Sequence, residues 1–88
     1  MGQNPLKNIP LKTFRDFLTY MELKPIRIES GHEIWSRTDL RRPVVIQTHI
    51  DPVPEFIVRN ALRTMNATKD DYKEALVYIS GVMVYVHR

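Results

Sequence analysis

No cysteine occurs among the 88 residues. That absence excludes a disulfide framework, a thiol nucleophile and a thiolate zinc site, and it fits a cytosolic chain. Glycine is nearly as scarce, with three residues at positions 2, 31 and 81, so no glycine-rich phosphate loop can be assembled. Nucleophile-elbow serines and His-Glu-x-x-His pairs are missing too. The longest nearly apolar run, Ala75 to Val86, is shorter than the roughly 17–25 residues needed to span a bilayer, so no membrane partner is expected. Met1 to Pro5 lacks a charged start followed by an apolar core, so no secretory signal is expected either. Charge of one sign is in small excess: 13 basic and 10 acidic residues give a net charge of +3, which permits a nucleic-acid partner without demanding one.

What remains is enough for one small domain. The first nine residues have no period and read as a loose arm. From Pro10, the spacing of Leu11, Phe14, Leu18 and Met21, widened by Phe17, marks an apolar helix face that ends before Pro25. Alternation at Ile26 and Ile28 against Arg27 and Glu29 reads as a half-buried strand. Ser30-Gly31 is a turn. His32 to Arg37 and Pro43 to Thr48 read as two further strands around a polar loop at Thr38 to Arg42. A second helix runs from Pro54, with Val58, Ala61, Leu62 and Met65 as its stripe and Asn66 as a left-handed stop. Thr68 reads as the N-cap of a third helix, with Asp70 and Asp71 as helix-start electrostatics rather than a metal pair. Val82 to Val86 fits a strand, a helix extension or an association surface. The expected class is α+β: a three-stranded antiparallel meander with helices on one face, in the order α-β-β-β-α, plus a third helix and an apolar tail.

Few residues carry chemistry. Counting outward from the loop sets His32 opposite Gln47 or Thr48, which brings His49 to the same end of the sheet. An imidazole can take a proton from a ribose 2′-hydroxyl or return one to a leaving 5′-oxygen. Both histidines also fit ordinary strand ends. Arg37, Arg41 and Arg42 surround the loop, and Arg59 and Arg63 edge the second helix. Such forks can grip an RNA backbone and stabilise charge on a phosphorane, or simply keep a surface solvated. Trp35 can stack on an unpaired base or anchor the core, and strand alternation sets it on the face opposite His32.

The segment Ser30-Gly31-His32-Glu33-Ile34-Trp35, the polar loop, Pro43 to His49, and the helix from Pro54 to Met65 resemble the HicA-type (YcfA-like) toxin family. The resemblance spans roughly Leu11 to Ala67. The family's hallmark is Gly-Ser-His, two variable residues and an aromatic; here His32 and Trp35 fill the last two roles. The small pair is reversed, Glu33 stands where many members carry a second histidine, and the arm and third helix are additions. The resemblance implies a double-stranded-RNA-binding-domain-like fold and a metal-independent, cofactor-free endoribonuclease. It further implies that His32 is catalytic and that a HicB-type antitoxin inhibits cleavage of mRNA. The division is then an arm at 1–9, a family-like core at 10–67, and a helix and tail at 68–88. Two other functions fit the residues: a non-catalytic RNA-binding module, and an interaction domain that forms a homodimer through its tail.

Overall fold

The computed structural model describes residues 4–79. Its elements run α1 (Leu11–Tyr20), β1 (Lys24–Glu29), β2 (His32–Ser36), β3 (Val44–Gln47), α2 (Glu55–Met65) and α3 (Lys69–Ile79). The three strands form one antiparallel sheet in sequence order. The Val82 to Val86 tail lies outside the described residues, and with it the expectation of tail-mediated pairing.

The helices begin and end where local chemistry dictates. Pro10 and Pro54, each at φ −60°, lead into α1 and α2 and supply no side-chain cap of their own. Both helices stop in a Schellman arrangement: Glu22 (φ 70°) and Asn66 (φ 57°) turn left-handed. The following N–H groups of Leu23 and Ala67 reach back to the carbonyls of Leu18 and Leu62. So Glu22 ends α1 three residues before Pro25 is reached. At the start of α3 the Asp71 N–H donates to Thr68 Oγ1 at 3.0 Å and the Thr68 N–H to Asp71 Oδ2 at 2.8 Å, a reciprocal capping box.

Leu11, Phe14, Phe17 and Leu18 of α1, Val58, Ala61, Leu62 and Met65 of α2, and Tyr72 and Ala75 of α3 pack with Trp35, Val44 and Ile46 of the sheet. Phe17 meets Tyr72 edge-on at 5.0 Å, which joins α1 to α3. Each large side chain buried in this way contributes roughly 1.5–3 kcal/mol.

Two expectations need correction. Residues 4–9 are not a loose arm: Leu6 and Ile9 are core residues. The Val53 N–H donates to the Ile9 carbonyl at 2.8 Å, and the Leu11 N–H donates to Asp51 Oδ1 at 3.0 Å. Two apolar side chains thus seat the segment against the loop before α2. The first strand is also not half-buried. A bulge at Ile26 breaks the alternation between Pro25 and Arg27, and β1 is an edge strand whose six residues are all exposed, Ile28 at 65%.

Candidate nucleic-acid interface

Pairing across β2 and β3 matches His32 with Gln47, Glu33 with Ile46, Ile34 with Val45, and Trp35 with Val44. Because paired residues share a face, Glu33, Trp35, Val44 and Ile46 look toward the helices. His32, Val45 and Gln47 lie on the outer face and are exposed. Ile34 shares that outer face but is only 8% exposed, flanked by Arg27 and Val45 on the neighbouring strands. The turn before His32 has positive φ at both central residues, Ser30 (51°) and Gly31 (80°), as a type I′ hairpin demands. His32 is the first residue of β2, paired with Glu29 on one side and Gln47 on the other.

The interior of β2 holds what the sequence reading missed. Glu33 is 5% exposed, the one buried charged side chain among the described residues. Its carboxylate accepts both Nε and Nη2 of Arg15 and, at 3.0 Å, the indole N–H of Trp35. The Arg15 hydrogen bond holds the Glu33 carboxyl below the usual carboxylate range, against the opposing effect of burial. Trp35 is therefore a core anchor with its polar handle satisfied, not a platform for a base; its face toward the helices excludes it from the RNA-stacking role.

A cleft of about 470 Å³ runs along the free edge of β3 beside α2. His32, Gln47, Arg42, Asn60, Arg63 and Thr64 supply its polar lining. His49 lies in the turn after β3, exposed, and is not among the side chains that line this cleft. The five arginines do not form one cluster. Arg37 is on the far side of the loop, donating to the Met21 carbonyl and, at 2.6 Å, to Asp39 Oδ1; that hydrogen bond holds the Asp39 carboxyl below its usual range. Arg59 is paired to Glu55 at 2.6 Å. Among the described residues Arg63 donates only to the neutral Asn60 side chain, at 2.9 Å. Arg41 and Arg42 are exposed and make no hydrogen bond or ion pair among the described residues. Among the described residues, three of the five cations thus remain uncommitted to a carboxylate, and two of them, Arg42 and Arg63, line the cleft with His32.

Among the described residues, no group of three His, Asp or Glu side chains converges as metal ligands, and no helix is long and apolar enough to cross a membrane. No protein-family model, curated protein or solved structure matches this chain.

Proposed function

We propose that the chain is a HicA-type toxin with a double-stranded-RNA-binding-domain-like fold: a small ribonuclease that cleaves mRNA and is held in check by a HicB-type antitoxin. The observation that carries this reading is the exposure of His32 in a cleft it shares with Arg42 and Arg63. That combination provides the two things phosphodiester transfer needs: a proton carrier and fixed positive charge where negative charge develops.

In this reading His32 accepts the proton of a ribose 2′-hydroxyl as that oxygen bonds to the adjacent phosphorus. The bond from phosphorus to the 5′-oxygen breaks, and the leaving oxygen takes up a proton. The products are a 2′,3′-cyclic phosphate and a free 5′-hydroxyl. The leaving oxygen takes its proton from solvent water, and His49, outside the cleft lining, is left without a step. Arg42 and Arg63 stay charged throughout and hold the equatorial oxygens. Gln47 and Asn60 offer amide groups beside them.

Induced expression of the wild type and of His32→Ala tests the proposal, with both proteins confirmed soluble and RNA integrity followed in time. Growth arrest with RNA loss from the wild type alone is the expected result. Arrest from both proteins removes His32 from the mechanism. Arrest from neither favours the non-catalytic RNA-binding module.

A further inference from the structure

Beside the His32 cleft lies a second one of about 350 Å³, with Leu40, Arg41, Met65 and Asn66 in its lining. The two share Arg42, Arg63 and Thr64, so those side chains form a common wall. Among the described residues, carboxylates do not oppose the cations here. The first cleft has none in its lining, and the second has only Asp39, whose two oxygens are both taken by Arg37. Arg41, Arg42 and Arg63 therefore present unneutralised charge along one continuous path from His32 to Asn66.

We infer that the two clefts are consecutive subsites for one single-stranded RNA, with one phosphate beside His32 and the next beside Arg41, on either side of the Arg42/Arg63 wall. The inference rests on the ribonuclease reading for the choice of RNA as the polyanion. Two adjoining concavities suit a strand whose backbone can bend from one into the other. A duplex presents a stiff, regular surface and is read by shape across its minor groove. Leu40 and Met65 give the second cleft an apolar floor on which a base can rest, and Asn66 and Thr64 give it hydrogen-bonding groups at the rim. Arg41 is thereby a binding residue for the neighbouring nucleotide, outside the reacting bond.

The test is fluorescence anisotropy with a labelled eight-nucleotide oligouridylate, read over a range of salt concentrations. Wild type, Arg41→Gln, Arg42→Gln and Lys73→Gln are compared, the last removing an equal charge from the exposed side of α3. Each lost phosphate contact lowers the slope of log K against log salt by about 0.7 for a single strand. Arg41→Gln and Arg42→Gln are expected to show that loss with several-fold weaker binding, and Lys73→Gln to match the wild type. Cleavage of the same oligonucleotide is followed in parallel. Binding that depends on Arg41 and Arg42 without any cleavage upholds the inference and overturns the ribonuclease reading. His32-dependent cleavage with binding indifferent to Arg41 and Arg42 does the reverse. Displacement of the strand by an equal concentration of duplex, or no binding by any protein, overturns the inference.

Discussion

His32 and Glu33 are neighbours in the chain and face opposite sides of β2: the imidazole lies in the solvent-exposed cleft, and the carboxylate is sealed under α1 by Arg15 and Trp35. The same strand thus carries the candidate proton carrier on one side and, one residue later, the polar anchor that fixes the strand to the helical layer. A side chain that must meet a substrate in a set geometry gains from such a rigid support.

Glu33→Gln should destabilise the protein by about 1.5–3 kcal/mol, the range for hydrogen bonds to a charged group. The lower end is expected because the Arg15 side chain is 37% exposed and can regain water. The midpoint of urea denaturation should fall with its slope unchanged. An unmoved midpoint would mean that the buried carboxylate contributes nothing net to the fold.

The pH dependence follows from the same group. The folded Glu33 carboxyl is held below its ordinary value by Arg15, so the folded state favours the ionised form. Its contribution is therefore complete above the unfolded carboxyl's pKa of about 4.3, and it is lost as pH falls through the lower folded value. Denaturation series between pH 7 and pH 3 should show wild-type stability dropping over this window. Asp39 and Glu55 are lowered as well and add to the drop, so the informative quantity is the difference from Glu33→Gln, whose curve should be flatter.

The hairpin turn gives a third expectation, of opposite sign for two adjacent residues. Ser30 occupies φ 51°, a region asparagine adopts more readily, so Ser30→Asn should raise stability by a few tenths of a kcal/mol up to about 1 kcal/mol. Gly31→Ala should lower it by about 1–2 kcal/mol through backbone strain alone, since a Cβ there would meet nothing within 4 Å. Thermal melts of the two variants should bracket the wild type.

Sequence pattern reached some of these features and stopped short of others for identifiable reasons. The stripes at Leu11, Phe14 and Leu18 and at Val58, Ala61 and Met65 are local periodicities, and both became buried helix faces. Counting outward from the loop sets His32 opposite Gln47 or Thr48, and Gln47 is its observed partner, because hairpin register is a local property. Alternation separates His32 from Trp35 but cannot choose which face the helices cover; that depends on α1 and α2, which lie far away in the chain. Nothing local marks Glu33 as buried; its burial depends on Arg15, 18 residues distant. The division of the arginines is local by contrast: Arg37 pairs with Asp39 two residues on and Arg59 with Glu55 four residues before, and only the Met21 carbonyl reaches Arg37 by tertiary contact.

The bridge between Ile9 and Val53 closes a loop that contains α1 and all three strands. In polymer terms it is among the most costly contacts to form, since closure entropy grows with the logarithm of the intervening length. It also works as a buckle. Residues 4–9 hold down the loop that follows His49, and Asn4 reaches Glu55 at the head of α2, one wall of the candidate cleft. Bulk added to this N-terminal stretch would act at a distance, loosening the flank where substrate is expected to lie while leaving β1 and the Ser30-Gly31 turn untouched.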